Sequence, residues 1–245
     1  MKLKSYAAKT DQGPYLNINE DGYDLDLMND LFMIFDGFGG PGIGDKCVSV
    51  LKDNIRNFYS KVIEDPDSTM PFYYSYKYLL EGNALINAMH FTQKLLFKEN
   101  KKVDLSMRAG SSSIVTSLSE DIMTFVSVGN CLCYLYRDGE LLKIVNEDTI
   151  GIYPLSGDNS YLKTTPLSAF GLFEELHLQT REVKICEGDL FILMTDGAYS
   201  RIKPNELVNF IIRSNNQYNH VVEKIFETAN TRGNLDNQTT ILLQF

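Results

Sequence analysis

The chain has 245 residues, of which 44% are hydrophobic, and its 23 basic and 32 acidic side chains give a formal net charge of −9. This size and apolar content suffice for a substantial core, and the acidic balance argues against a protein that coats nucleic acid or an anionic membrane. No apolar run approaches the ~20 residues that span a bilayer, and the sequence does not open with a signal-peptide pattern. We therefore expect a cytoplasmic protein without nucleic acid or membrane partners.

In chain order, the first strong signal is an apolar run that leads into an aspartate and glycines. Residues 31–35 are all apolar, and Asp36 and the glycine-rich residues 37–42 follow. The run predicts a buried strand that presents one carboxylate. Residues 37–42 also match the GxGxxG pattern of dinucleotide-binding folds. That reading is disfavoured, because Asp36 would place a negative charge beside the pyrophosphate and a Rossmann unit would return at once to a parallel strand.

Two helices are predicted after the glycines. Apolar side chains recur at helical spacing over residues 45–63, with Asp45 as the expected cap. A second helical pattern covers about residues 74–99. We interpret the glycine cluster before them as a place of close backbone approach, where a main-chain carbonyl beside Asp36 can also bind metal.

The pattern then changes to strands. Four segments are rich in β-forming residues, at 113–118, 123–128, 131–137 and 140–145. Asp138-Gly139 predicts a hairpin between the last two, which makes the sheet antiparallel. After an irregular stretch from about 151 to 168, strands are predicted at 176–185 and 190–194.

The last part of the chain again has an apolar run that leads into an aspartate and a glycine, and two predicted helices and a strand follow. The apolar run 190–194 leads into Thr195-Asp196-Gly197, a helix is predicted from Pro204 and another around 221–229, and a strand closes the chain at 239–245. No linker or repeat divides the sequence. It predicts one α+β domain over residues 1–245, with two packed antiparallel sheets and helices outside them.

Acidic residues adjoin several of the predicted strands. They are Glu20, Asp21, Asp36, Asp196 and Asp236. A single Asp-Gly is most simply a surface turn, but four acidic segments at strand ends predict convergence on a shared cation. No histidine or cysteine lies in these segments, so the ligands would be oxygens and the metal Mg²⁺ or Mn²⁺. Two such ions could activate a water for the hydrolysis of a phosphate ester.

The motifs resemble those of the metal-dependent serine/threonine protein phosphatases of the protein phosphatase 2C type. The resemblance follows nearly the whole chain in one order, at residues 19–21, 35–40, 110–112, 128–130, 188–189, 195–197 and 236–239. It implies a four-layer α-β-β-α sandwich. It also implies hydrolysis of phosphoserine or phosphothreonine in a substrate protein of a Ser/Thr kinase, by direct attack of a metal-activated water and without a covalent phosphoenzyme.

The resemblance further implies the roles of individual residues. Asp36 would bridge two Mn²⁺ or Mg²⁺ ions, and the Gly37 carbonyl would bind one of them. Asp196 and Asp236 would bind the other ion, which makes Asp36, Asp196 and Asp236 the essential residues for catalysis. The irregular segment 151–168 would correspond to the variable flap of the family, beside the site.

Around these expected ligands, the sequence matches the family pattern at Glu20 and Asp21 and departs from it at three positions. Glu20 and Asp21 would hold metal-bound waters. The family usually has an arginine that grips the substrate phosphate four residues before that glutamate, and here the position is Leu16, so the substrate-binding residues are unknown. Asn130 stands where many members have an aspartate for a third metal, and a neutral amide predicts that the third site is weak or absent. Phe38 stands where some members have a histidine.

Two alternatives remain open at this point. The chain could be a catalytically weak pseudophosphatase that binds a phosphoprotein, as Leu16 and Asn130 suggest. A metal-dependent nuclease would use similar carboxylates but would need a basic groove, which the acidic balance disfavours. Lys9, Lys46 and Arg108 lie near the motifs, and one of them could replace the missing arginine.

Overall fold

The helices and strands follow one another closely along the chain. The structure, a computed structural model, describes residues 1–39, 42–65, 67–150 and 165–245 and the backbone of 153–154 and 162–163. Its strands are β1 (Ser5–Asp11), β2 (Gly22–Asp26), β3 (Leu31–Phe38), β4 (Gly110–Ser119), β5 (Ile122–Val128), β6 (Leu132–Arg137), β7 (Glu140–Val145), β8 (Tyr153–Pro154), β9 (Leu162–Lys163), β10 (Gln179–Lys184), β11 (Leu190–Met194) and β12 (Gln238–Gln244). Its helices are α1 (Gly44–Glu64), α2 (Leu80–Asn100), α3 (Asp196–Tyr199), α4 (Pro204–Arg213) and α5 (Tyr218–Thr231), with a short 3₁₀ turn at Leu105–Met107.

The strands form two five-stranded antiparallel sheets. The first sheet has the order β1-β12-β11-β6-β7, and the second has the order β10-β5-β4-β3-β2. The short strands β8 and β9 pair separately. The first and last strands of the chain are neighbours in the first sheet, so the two ends of the sequence meet there.

Three apolar clusters show how the layers pack. One lies between α1, α2 and the second sheet, and includes Leu51 and Val115. Another fills the space between the two sheets, with Phe125 and Phe191 in contact at its centre, 5.4 Å between ring centroids. The third lies between the first sheet and helices α3 to α5. The predicted four-layer α-β-β-α sandwich is therefore confirmed.

The predicted hairpin at Asp138-Gly139 is present between β6 and β7. Asp138 has a φ of 51° and Gly139 a φ of 85°, and Arg137 pairs with Glu140 across the turn. Two positive φ values are what a type I′ turn requires, and they match the twist of the flanking strands. The turn chemistry alone was sufficient to predict this connection.

The second helix begins six residues later than the sequence predicts, at Leu80 instead of residue 74. Two buried asparagines on α2 explain the difference. The Asn87 amide oxygen accepts the backbone N–H of Tyr73 at 3.2 Å, and the Asn83 amide oxygen accepts that of Ser75 at 2.8 Å. These side chains satisfy the backbone of the preceding segment in an irregular path that includes a turn, closed by the bond from the Tyr78 N–H to the Ser75 carbonyl at 3.2 Å, and this path competes with helix formation.

Two further details differ from the sequence predictions. Asp45 does not cap α1, because the residue at the cap position is Ile43 and the Glu20 carboxylate accepts the Gly44 N–H at 3.0 Å instead. The short helix α3 at Asp196 was not predicted. The stretch from 151 to 168 lies largely outside the described residues, so its role as a flap stays a prediction. Among the helices in the described ranges, none combines the length and apolarity needed to cross a membrane.

Candidate metal centre

Strand ends from both sheets bring the predicted carboxylates together. Asp36 lies on β3, in the second sheet. Asp196 follows β11 directly, and Asp236 precedes β12 by two residues. Since β11 and β12 are antiparallel neighbours, with Met194 opposite Thr240, the end of one lies beside the start of the other. The pairing of β11 with β12 thus explains why Asp196 and Asp236, 40 positions apart in the sequence, lie near one another. Asp36 is close enough to both that their charges raise its pKa.

Two glycines allow the backbone segments to approach closely there. A Cβ at Gly37 would collide with the Glu20 carbonyl oxygen, and a Cβ at Gly197 would collide with the Asn237 carbonyl oxygen. Each of these glycines directly follows an aspartate of the centre. The prediction that the glycines serve close backbone approach is confirmed for Gly37.

Asp21 is held by hydroxyl groups from the opposite sheet. Its carboxylate accepts hydrogen bonds from the hydroxyls of Thr195 at 2.8 Å and Thr239 at 2.9 Å. The Thr195 hydroxyl oxygen also accepts the Thr239 backbone N–H at 2.9 Å. These bonds connect the start of β2, in the second sheet, to β11 and β12 in the first. They orient Asp21 without supplying any positive charge.

Asn130 links two of the carboxylates. Its amide nitrogen lies 2.9 Å from a carboxylate oxygen of Asp196 and also donates to Asp36. The backbone carbonyl of Asn130 accepts the Tyr199 hydroxyl at 2.7 Å. The residue that replaces the aspartate of the family pattern therefore acts as a donor that holds Asp36 and Asp196 in place.

The carboxylates influence one another electrostatically. Burial raises the pKa of Asp36 well above its usual value, and the nearby carboxylates of Asp196, Asp21 and Asp236 raise it further, while the bond from Asn130 lowers it. Burial likewise raises the pKa of Asp21, against the two threonine bonds that lower it, and Asp236 and Asp196 add to the rise. A cation at this place would relieve both the burial cost and the mutual repulsion.

The donor set suits a hard divalent cation, because it consists of carboxylates, carbonyls and an amide. Across the ranges that the structure describes, however, no three carboxylate, imidazole or thiol groups are arranged to hold one ion directly. Mg²⁺ is usually bound by only one or two carboxylates and keeps several of its own waters. The described carboxylates therefore do not form a closed cage around a single ion, and any ion held by them would keep several of its own waters.

Asn237 fastens the loop before the first acidic motif to the centre. Its amide oxygen accepts the Glu20 backbone N–H at 2.8 Å, and its amide nitrogen donates to the carbonyls of Gln12 at 2.9 Å and Ile18 at 3.1 Å. Asn237 directly follows Asp236. The loop therefore has a fixed position beside the centre, and its residue 16 is the leucine that stands in place of the arginine of the family.

The three cations considered as substitutes for that arginine have different surroundings. The Lys9 ammonium lies 5.7 Å from the centre of the Phe226 ring. The Arg108 guanidinium donates to the Leu172 carbonyl at 3.1 Å. Lys46 is exposed on the first turn of α1, at the end of the helix that contacts the centre. These contacts do not decide among the three, so the substitute for the arginine stays a prediction.

Several residues of the centre were not assigned a role from the sequence. Thr195, Asn237 and Thr239 lie inside motifs that the sequence analysis used, and each is next to or near an aspartate, which was the available signal. Tyr199 gave no such signal. Its contact with Asn130 depends on the short helix α3, which the sequence did not predict.

Comparison with known proteins gives similarity of structure but not of sequence. No protein-family model matches the chain, and no curated protein matches it. Among solved structures, PppA, described as a key regulatory component of T6SS in Pseudomonas aeruginosa, is similar with a TM-score of 0.77 and 22% identity, over 99% of this chain and 98% of that one.

Two phosphatases are similar over equally long ranges. The PPM Ser-Thr phosphatase MsPP from Mycobacterium smegmatis, solved with cacodylate, has a TM-score of 0.76 and 17% identity over 100% of both chains. The catalytic domain of the serine/threonine protein phosphatase PstP, solved with two manganese ions, has a TM-score of 0.72 and 20% identity, over 98% of this chain and 97% of that one. The chain has the fold of the PPM-type Ser/Thr phosphatases, the type that its motifs resemble.

Proposed function

We propose that this chain is a metal-dependent phosphatase that hydrolyses phosphoserine or phosphothreonine in proteins modified by a Ser/Thr kinase, acting in the cytoplasm as one domain over residues 1–245. The convergence of carboxylates from both sheets carries the proposal, because burial and mutual repulsion raise the pKa of Asp36 and of Asp21. Clusters of carboxylates with shifted pKa values are typical of functional sites. The fold shared with MsPP and PstP supports the same conclusion.

Each residue of the centre has a proposed task. Asp36, Asp196 and Asp236 are the proposed direct ligands, together with the Gly37 carbonyl. Two Mn²⁺ or Mg²⁺ ions held there would supply Lewis-acid activation of a water and neutralise charge on the phosphate. The amide of Asn130 orients the carboxylates of Asp36 and Asp196. A third ion is not part of the proposal, because an amide is a poorer cation ligand than a carboxylate.

The outer residues position the centre. Glu20 and Asp21 are proposed to bind waters of the metal shell. Thr195 and Thr239 hold the Asp21 carboxylate, so that it faces its neighbours even though its charge is disfavoured by burial. Such positioning fixes the acceptor geometry before substrate arrives, which lowers the reorganisation needed during the reaction.

The test is hydrolysis of p-nitrophenyl phosphate and of a phosphothreonine peptide with Mn²⁺, with Mg²⁺ and with EDTA. We expect turnover with either metal and none in EDTA. Asp196→Asn should abolish turnover, whereas Asp138→Asn, in the exposed β6–β7 turn, is the matched control that should retain it. Full turnover in EDTA or in Asp196→Asn would refute the metal-dependent mechanism.

A catalytically weak phosphoprotein-binding protein is the second candidate, and Leu16 favours it. The fixed loop beside Asp236 offers an apolar side chain where the family has an arginine, and PppA, with a similar fold, is described as regulatory. Leu16→Arg separates the two candidates. In an active phosphatase the new guanidinium should raise kcat/KM for the phosphopeptide by about tenfold. Metal binding in calorimetry with no turnover in either form would favour the regulatory role.

A further inference from the structure

We propose that the loop of residues 12–18, hereafter the apolar rim, selects substrates that carry a large apolar side chain next to the phosphorylated residue. The inference rests on the proposed phosphatase function and specifies its substrate class. Its first basis is exposure. Tyr15 is 67% exposed, Leu16 38% and Ile18 45%, and no residue of the rim is charged in a chain with a net charge of −9.

The second basis is that the rim is fixed against the carboxylate centre. Asn237 binds the carbonyls at both ends of the rim, at Gln12 and Ile18. Gly13 packs so closely on the Asp236 carbonyl that a Cβ there would collide with it. The side chain of Ile18 reaches to 3.2 Å from the position of a Cβ on Gly42. The exposed side chains therefore lie on a rigid support next to the site of reaction.

The third basis is a similar surface on another border of the centre. Ile150 is 52% exposed and Leu167 is 49% exposed. The Leu167 N–H donates to the Asp148 carbonyl at 3.0 Å, and the Asp148 N–H donates to the Gly129 carbonyl at 2.8 Å. Gly129 directly precedes Asn130, whose amide binds Asp196. The backbone segments that carry exposed apolar side chains are thus connected to the centre in two places, one at Asp236 and one at the Asn130 segment.

Single exposed apolar residues are ordinary on protein surfaces. Three of them on one uncharged loop beside a candidate active site offer a contact surface whose backbone is already anchored and loses little conformational entropy on binding. An apolar peptide side chain packed on this surface would gain binding free energy without any charge. That source of affinity suits a centre in which leucine takes the place of the phosphate-binding arginine.

The test uses two phosphothreonine peptides that differ only at the two residues flanking the phosphothreonine. One carries leucine there and the other glutamine, so that size is similar and charge is equal. We expect kcat/KM to be about tenfold higher for the leucine peptide, the effect of partly burying one such side chain. The difference should lie in KM more than in kcat, since the contact is remote from the reacting atoms.

The double variant Tyr15→Ser, Leu16→Ser should reduce the preference to about twofold or less. Met28→Ser is the matched control, because Met28 is 95% exposed in another turn, and it should leave the preference at its wild-type value. Peptide binding measured by calorimetry gives the same comparison without turnover.

The outcomes separate this proposal from the proposed function. Hydrolysis of both peptides at equal kcat/KM would overturn the apolar rim and leave the phosphatase in place. Tighter binding of the leucine peptide without hydrolysis would support the rim and refute the enzyme. A preference that persists in the double variant would also overturn the proposal, because the selectivity would then come from other residues.

Discussion

Two aspartates in this protein, Asp189 and Asp36, have opposite electrostatic surroundings. Asp189 has a fully buried side chain, and the Arg137 guanidinium binds both of its oxygens, at 2.7 and 2.6 Å. Asp36 has an amide donor and three carboxylates around it, and these carboxylates raise its pKa. Within the described residues, an arginine neutralises the charge of Asp189, whereas the groups that shift the pKa of Asp36 are three carboxylates and one neutral amide.

This difference distinguishes the ion-paired carboxylate of Asp189 from the proposed metal ligand Asp36. Both residues lie next to a glycine in motifs that match the phosphatase family, so the motifs alone do not distinguish their roles. The partner does. A buried carboxylate with a bidentate arginine stabilises the fold, whereas a buried carboxylate among others of the same sign costs stability and persists at sites that bind a cation.

The largest expected effect comes from Asp36→Asn. Turnover should fall on the order of 10³-fold, the scale seen when one electrostatic group of an active site is removed. The metal-free protein should become more stable at neutral pH, by about 1 kcal/mol, because the variant removes a charge that burial and its neighbours disfavour. Kinetics with Mn²⁺ and urea unfolding in EDTA measure the two effects.

The pH dependence gives a control for this explanation. The folded-state pKa of Asp36 is raised, so the folded protein binds the proton more strongly and wild-type stability falls as pH rises from the unfolded value, about 4, through the raised value. The stability gain of Asp36→Asn should therefore vanish at acid pH, where wild-type Asp36 is protonated. A gain that does not depend on pH would contradict the electrostatic origin.

Asp189→Asn should have the opposite effects to Asp36→Asn, with a loss of stability and no loss of turnover. Removing this carboxylate leaves the half-buried Arg137 without its charged partner, and we expect the unfolding free energy to fall by about 2 kcal/mol. The folded fraction of this variant should keep the wild-type kcat with Mn²⁺. Urea unfolding and initial rates measured well below the melting temperature test both statements. A large loss of kcat with normal stability would mean that Asp189 also belongs to the reactive centre.

A smaller effect is expected from Asn130→Asp, which adds a carboxylate to the centre. The change removes the amide donor to Asp36 and Asp196 and adds negative charge, so the metal-free protein should lose about 1–2 kcal/mol. Mn²⁺ should stabilise the variant more than the wild type, because the variant offers one more charged oxygen ligand. Melting curves with EDTA and with Mn²⁺ measure this.

Asn130→Ala is the control for Asn130→Asp, since it removes the amide without adding charge. It should not enlarge the stabilisation by Mn²⁺. Equal metal-induced shifts in the aspartate and alanine variants would show that the new carboxylate does not reach the ions.

The smallest effect is expected from Glu206→Gln, which removes a carboxylate paired with Arg232 near the surface. The Arg232 guanidinium lowers the pKa of Glu206 to about 2, with bonds of 2.6 and 2.9 Å. Both side chains are about one-third exposed, so Glu206→Gln should cost less than about 1 kcal/mol.

The sign of the Glu206 effect follows from its lowered pKa. Its contribution is present above the unfolded value near 4.5 and is lost as pH falls through about 2. The variant and the wild type should therefore converge at low pH in thermal unfolding. Glu187→Gln, at the exposed pair with Lys4, is the control and should show no measurable change. A deficit of Glu206→Gln that persists at pH 2 would point to lost packing rather than lost charge.

Local signals explain why most of the fold could be predicted from the sequence. The strand 190–194 is a continuous apolar run, and the β6–β7 hairpin follows from the φ preferences of Asp138 and Gly139. The start of α2 could not be predicted, because the side chain of Asn83 competes for the backbone of the preceding residues, and this depends on tertiary structure.

The gathering of the carboxylates could be predicted, but not their partners. Asp36, Asp196 and Asp236 were expected to meet, because each adjoins a strand end. The residues that pair with each carboxylate lie far from it in the sequence. Arg137 is 52 positions from Asp189, and Thr239 is 218 positions from Asp21. No local pattern encodes such pairings, since they arise only when the two sheets pack.

The position of β12 has a consequence for the order in which the protein can mature during synthesis. This strand is made after the other eleven described strands, yet it lies inside the first sheet, between β1 and β11, and Asp236 is made just before it. A nascent chain that still lacks β12 has a gap in that sheet and an incomplete set of carboxylates. The candidate centre can therefore assemble only after residues 236–244 have left the ribosome.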